Sequence, residues 1–333
     1  MTSKSKLCSA LAAMTLLGSV QSASAADELT VAYFLEWPMP FQYAKATGKY
    51  DEALGVKVNW VAFDAGTAMS AAMASGDVQI SVSQGVPPFV VATSAGQDLQ
   101  VVDVAVSYSE NDNCVVAAKH EIDKDSAGEL AGKKVGVPIG TAAHYGFLKQ
   151  MDHFGVDIST MDVVDMAPPD GAAAFAQGSL DMVCGWGGAL RRMKEHGNVL
   201  LTGAEKEELG ILVFDVTSAP ANFVAEESDM LAKFLKVTAD MNAMWNSGEH
   251  TAEMLPVIAK DAGMSEEDTA STIATFVFPS AEDQLSAKWL AGGSQDFMKG
   301  VAKVFVDAGS IPKARDSYDG AVNTGALTAA SGM

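Results

Sequence analysis

Three groups of side chains in this sequence could together grip a small charged molecule. Glu36 stands beside Trp37, in a segment stiffened by Pro38 and Pro40. A carboxylate next to an indole suits an ammonium group: the carboxylate supplies charge and the ring face a cation–π contact. Asp215 lies inside the apolar run 211–217. A carboxylate in a strand of that kind needs a partner, either a bound cation or a salt bridge across a hinge. At the opposite pole, Gly140 and Thr141 open a helical stretch. Free backbone N–H groups and the Thr141 hydroxyl make an anion site there, and the same hydroxyl also suits an ordinary N-cap. Trp186 is followed by Gly187 and Gly188, which let another body come close. The set reads as a site for a zwitterion. Glu36 and Asp215 would hold the cationic end, Thr141 and Ser83 the anionic end, and Trp37 and Trp186 the apolar middle. Asp64, Gln84, His144 and Tyr145 stand at equivalent strand-to-helix positions and complete the candidate ligand set.

Catalytic patterns are missing. There is no GxSxG, no GxxxxGK[ST] and no HExxH. Ser83, His144 and Asp215 could be drawn as a triad, but no nucleophile elbow supports it. His120, His144, His153, His196 and His250 are scattered singly, and CxxC is absent, so the reading has no metal and no cofactor.

The elements that must carry these residues alternate. Strand-like runs fall at 29–33, 57–63, 78–82 and 99–106, with helical stretches between them. After a polar break at 107–113, further strands fall at 114–119, 134–138, 161–166, 180–185 and 211–217. Pro168 and Pro169 read as a break before a helix at 171–177. From 226 onward the chain reads as helical. Repeated β-α units build open parallel sheets, whose ligands bind beyond the carboxyl ends of the strands. The expected fold is α/β, with two lobes, each a mostly parallel sheet flanked by helices, and the ligand between them.

Composition fits that picture. The 333 residues are 48% hydrophobic and 19% charged, which excludes a disordered chain. With 22 basic and 42 acidic residues the net charge is −20, which repels phosphate backbones and argues against nucleic-acid binding. Lys4 and Lys6, an apolar stretch at 7–20 and Ala23-Ser24-Ala25 form a cleavable export signal over 1–25. No later run approaches a membrane span, so the expectation is an exported protein without membrane insertion. Cys8 leaves with the signal. Cys114 and Cys184 remain, and whether they pair or stay as two buried thiols is open at this level.

Several segments carry a family resemblance. They are LTVAY at 29–33, FDAGTAMSAAMASGDVQIS at 63–81 and VGVPIGTAAHYGFLKQMDHFGV at 135–156. Pro168-Pro169 with Ala174, Gly178 and Asp181 adds to them, as do Trp186 and Phe214-Asp215-Val216. The chain resembles the periplasmic substrate-binding proteins of ABC transporters for taurine and aliphatic sulfonates, over nearly its whole exported length. The resemblance implies a two-lobed (type II) receptor that closes about a hinge, monomeric, handing its ligand to a membrane permease. One lobe would comprise 26–107 plus 216–333, the other 108–215. Trp186 and Asp215 would fall on pocket positions. Glu36-Trp37 and Trp186-Gly187-Gly188 depart from the taurine branch, which leaves room for another amine: hypotaurine, a quaternary amine or a thiamine precursor. A secreted enzyme on the same fold is the remaining alternative.

Overall fold

The computed structural model describes residues 28–333. The expected export segment and Cys8 lie outside the described residues. The chain begins β1 (Glu28–Phe34), α1 (Phe41–Ala46), α2 (Lys49–Leu54), β2 (Lys57–Phe63), α3 (Gly66–Ser75), β3 (Ile80–Gly85), α4 (Val86–Ser94) and β4 (Leu99–Ser107). It continues with β5 (Asp112–Ala117), β6 (Lys134–Val137), α5 (Ala142–Phe154), β7 (Asp162–Asp165), α6 (Pro168–Ala176), β8 (Met182–Trp186), α7 (Gly187–Lys194), β9 (Gly197–Val199) and α8 (Gly203–Glu208). Next comes β10 (Phe214–Pro220), followed by α9 (Ala221–Glu226), α10 (Ser228–Asn246), α11 (Thr251–Ala262), α12 (Glu266–Ile273), α13 (Ala281–Gln284), α14 (Gly293–Asp307) and α15 (Gly325–Ser331).

Two five-stranded sheets result, ordered β2-β1-β3-β10-β4 and β7-β6-β8-β5-β9. Within each, one strand runs against its neighbours. These are β10 in the first sheet and β5 in the second. Both are the strands by which the chain enters a sheet from the other lobe. β3 is buried along its whole length and β4 along nearly all of it, as expected where helices cover both faces of a sheet. The helical tail packs back on the first sheet's helices, α10 on α1 and α2, and α11 on α1. α14 also reaches across to α5 of the second lobe.

Three differences from the sequence reading have clear causes. Pro168 and Pro169 do not precede α6 but open it, because the first helical turn needs no N–H donor. The last strand starts at Phe214, not Ile211. Residues 209–213 form the return crossover, where Val213 accepts a bond from the Tyr108 N–H at 3.0 Å. Asp215 accordingly pairs within the first sheet, opposite Gly85 and Val106. β5 begins at Asp112, two residues earlier than expected, so the polar residues Asp112 and Asn113 belong to a buried strand.

Cys114 and Cys184 face each other in register on β5 and β8, and their sulfurs are bonded. The bridge closes the question that the sequence left open. It ties the strand carrying Asp112 to the strand carrying Trp186.

Candidate functional site

A narrow cavity of about 20 Å³ lies between the two lobes, lined from both. Its aromatic wall is Phe34, Trp37, Tyr108 and Trp186. Its acidic groups are Asp215, from the start of β10, and Asp112, from the start of β5. The rest comes from helix starts: Gly66 of α3, Gly85 and Pro88 at α4, and Thr141 and Ala142 at α5.

Asp215 is only 2% exposed. Tyr108 donates its hydroxyl to Oδ1 at 2.6 Å, and Ser83 donates to Oδ2 at 2.7 Å. The Trp37 indole N–H in turn donates to Ser83 Oγ at 2.8 Å. Burial pushes the Asp215 carboxyl up to about 7, against the lowering effect of the two hydroxyl bonds. Ser83 reaches this position with φ of +62°, a left-handed geometry that persists only where the surroundings enforce it. Its role therefore differs from the expected one, because Ser83 gives its proton to the Asp215 carboxylate and not to the anionic end of a ligand.

The opposite carboxylate was not among the sequence candidates. Asp112 is also 2% exposed, and its Oδ2 has no hydrogen-bond partner among the described residues. Burial pushes it up to about 7, with Lys206 pulling the other way. Lys206 itself is buried and spends its ammonium on the backbone carbonyls of Ser109 and Asp112, not on the carboxylate. Little in the sequence marked it, since Asp112 lies in the polar stretch 107–113 just ahead of an apolar run.

The helix starts supply N–H donors. Thr141 caps α5 by accepting from His144 N–H at 3.4 Å while donating to Pro138 O at 2.6 Å. Among the described residues, the N–H groups of Ala142 and Ala143 on α5, and of Gly66 and Thr67 on α3, have no acceptor. Orphan donors at two helix N-termini, one in each lobe, suit an oxyanion. Pro87 and Pro88, in the first turn of α4, have no N–H, and Pro88 adds an apolar side to the cavity. Gly66 is required there, since a Cβ would stand 2.7 Å from Pro88 Cγ.

The other sequence candidates lie elsewhere. Phe34 and Trp186, with centroids 6.0 Å apart, separate the cavity from an outer groove that holds Glu36 and Asp64. Glu36 was expected to hold a ligand's ammonium, but its carboxylate is already paired. Arg192 on α7 binds it at 2.6 and 3.0 Å, and Gly188 N–H binds its carbonyl at 3.2 Å. Gln84 sits behind the cavity, donating to Gly66 O and Ser70 and accepting from Ser218. His144 accepts from Gly140 N–H at 3.2 Å and stacks on Phe305. Burial pushes the His144 imidazole down to about 4, and it makes no bond to Ser83, so no triad forms. Tyr145 packs edge-on against Phe297 in a separate groove between α5 and α14. Of the ten candidates, Trp37, Thr141, Trp186 and Asp215 line the cavity.

A family model described as NMT1/THI5 like matches residues 38–244. The chain belongs to this family. One relative of this NMT1/THI5-like protein is the taurine-binding periplasmic protein of Escherichia coli. The two are 25% identical over 297 residues, covering 88% of this chain and 90% of the relative. Among solved structures, the alkanesulfonate-binding protein SsuA from Xanthomonas axonopodis pv. citri, bound to MOPS, superposes with a TM-score of 0.74 at 19% identity. The match spans 91% of this chain and all of that one. The fold is thus the two-lobed periplasmic-binding-protein fold. The desulfurization enzyme DszB shares it at a TM-score of 0.62 and 12% identity, over 92% of this chain and 99% of the enzyme. Fold alone therefore does not separate receptor from enzyme, and the distinction rests on the site.

Proposed function

We propose that this NMT1/THI5-like protein is an exported receptor for taurine or a closely related small zwitterionic sulfonate, which it delivers to an ABC importer. The observation that carries the reading is the pairing, around one cavity lined from both lobes, of an oriented buried carboxylate, Asp215, with unsatisfied N–H groups at the starts of α3 and α5. The carboxylate suits an ammonium and the helix starts suit a sulfonate. The names of the curated relatives support the same ligand class. Residues 1–25 act as the export signal, and the receptor works as a monomer in the periplasm. We read it as binding without turnover, in keeping with curated relatives named as binding proteins.

The aromatic wall favours a second reading, a quaternary amine, whose methyl groups would meet Phe34, Trp37, Tyr108 and Trp186. A thermal-shift screen decides between them. The panel holds taurine, hypotaurine, short alkanesulfonates, choline, glycine betaine and a thiamine precursor. A ligand that binds only the folded state raises Tm by mass action. A large shift with taurine and little with choline is the expected result. A shift with choline alone overturns the zwitterion reading.

A further inference from the structure

We propose that Asp112 is a second cation-binding group, and that a ligand's positive end is shared between Asp112 of one lobe and Asp215 of the other. This rests on the zwitterion reading above and adds to it the residue that makes cation recognition depend on closure. The two carboxylates enter the cavity from opposite sheets, each at the first turn of chain beyond a crossover. They are not equivalent. Asp215 is satisfied on both oxygens by Tyr108 and Ser83. Asp112 leaves Oδ2 buried and unpartnered. A buried carboxylate oxygen without a donor is costly unless something supplies one. The charged Lys206 beside it bonds to its backbone carbonyl instead.

A primary ammonium has three N–H donors, enough to serve Asp112 Oδ2 and Asp215 together. A quaternary ammonium has none and would leave Asp112 unpaired. The arrangement thus favours protonated amines over methylated ones, even beside an aromatic wall. It also gives the ligand a mechanical role. With the cavity empty, closure brings two buried carboxylates together at a cost. With an ammonium between them, closure pairs both. The cation therefore favours the closed form by interacting with the two lobes at once.

The test is calorimetric titration of the full exported protein and its Asp112→Asn variant with taurine and with 2-hydroxyethanesulfonate, which keeps the sulfonate and replaces the ammonium by a hydroxyl. Wild type should prefer taurine. Asp112→Asn should lose at least about tenfold in taurine affinity while keeping the hydroxyl analogue, whose retained binding shows that the variant is folded. If wild type prefers taurine and Asp112→Asn keeps the whole preference, the inference is overturned and the zwitterion reading stands. If Asp112→Asn loses both ligands equally, the inference is likewise overturned, because a cation-specific group leaves the sulfonate end intact. If wild type binds neither sulfonate, the zwitterion reading itself fails.

Discussion

The Glu36 carboxylate and the Arg192 guanidinium join the two lobes outside the ligand cavity, through two hydrogen bonds of 2.6 and 3.0 Å. Glu36 follows β1 in the first lobe, and Arg192 lies on α7 in the second. Glu36 adopts φ of +53° and is tied on its far side to Ala262 O at 2.8 Å. In a receptor whose lobes close on a ligand, this pair is expected to act as a latch. Both side chains remain about one-third exposed, so the contribution is that of a surface pair with good geometry, about 1 kcal/mol. Arg192→Gln should weaken ligand binding by about fivefold, mainly through faster release. Small-angle scattering of the ligand-bound variant should show a larger open fraction. Unchanged affinity and an unchanged scattering profile would remove the latch.

Removing the Tyr108 hydroxyl tests how Asp215 is kept ready. That hydroxyl bonds Asp215 Oδ1 at 2.6 Å and opposes the upward push of burial on the carboxyl. Tyr108→Phe keeps the ring in the aromatic wall and removes only the donor. A bond to a charged group contributes about 1.5–3 kcal/mol. Taurine affinity at neutral pH should fall by about tenfold or more, and raising the pH should recover part of the loss. A loss that no pH recovers would mean that Tyr108 acts through packing alone.

The pH dependence has a definite sign. Asp112 and Asp215 are pushed up to about 7 by burial, from 3.8. The folded protein therefore holds protons that the unfolded chain has released. The associated stability is complete below about 4 and is lost as pH rises through about 7. Lys206 beside Asp112, and Tyr108 between the two carboxylates, are the other titratable groups acting on the pair. Asp103, raised to about 6 by burial, adds to the trend, and His144, lowered to about 4, opposes it. Comparing variants cancels those two. Between pH 5 and about pH 7.5, ligand-free Asp112→Asn and Asp215→Asn should each show a flatter fall in Tm than wild type. Bound ammonium favours the ionised pair, so taurine affinity should rise with pH over the same window and binding should release protons. Titrations in buffers of different ionisation enthalpy measure that release. No release at pH 6.5 would contradict the cavity electrostatics.

The disulfide should support the site as well as the fold. Cys114 and Cys184 stand 70 residues apart in sequence, and closing a loop of that length contributes about 4 kcal/mol in the chain-entropy account. Each cysteine lies two residues from a cavity residue, Asp112 or Trp186. The double variant Cys114→Ala, Cys184→Ala should melt well below wild type and bind taurine more weakly. Thermal unfolding with and without reductant checks the first point: reductant should lower Tm in wild type and not in the variant.

Much of this was legible in the sequence, for reasons that differ by residue. The β-α alternation was read from short β-rich runs and turn residues, which depend on local composition. Trp37, Thr141, Trp186 and Asp215 were found because strand ends and helix starts mark cleft edges in such folds. Glu36 was misassigned because its partner lies 156 residues away, and no spacing announces Arg192. Ser83 and Gln84 sit at the right strand end but turn inward, a consequence of the left-handed Ser83 backbone. Asp112 was missed because the segment around it is polar and reads as a linker. Only the antiparallel pairing with β8, which sets it opposite Trp186, makes it part of a buried strand.

Gly187 and Gly188 set how closely the lobes can approach. A Cβ on Gly188 would lie 2.9 Å from Glu36 Cβ, and one on Gly187 would lie 2.6 Å from Glu36 O. Gly187 also adopts φ of +56°, so alanine there combines overlap with backbone strain. Gly188→Ala isolates the overlap. Such an overlap costs about 1–3 kcal/mol. Opening the cleft relieves it, since the two atoms belong to different lobes. The variant should therefore fold normally, close poorly, and lose about tenfold in ligand affinity. Glu36→Gly removes the opposing Cβ and is tolerated by its left-handed backbone. In the double variant Glu36→Gly, Gly188→Ala, affinity should return to that of Glu36→Gly alone. An equal further loss in the double variant would mean that Gly188 serves the packing of α7 within its own lobe, and that lobe approach is limited elsewhere.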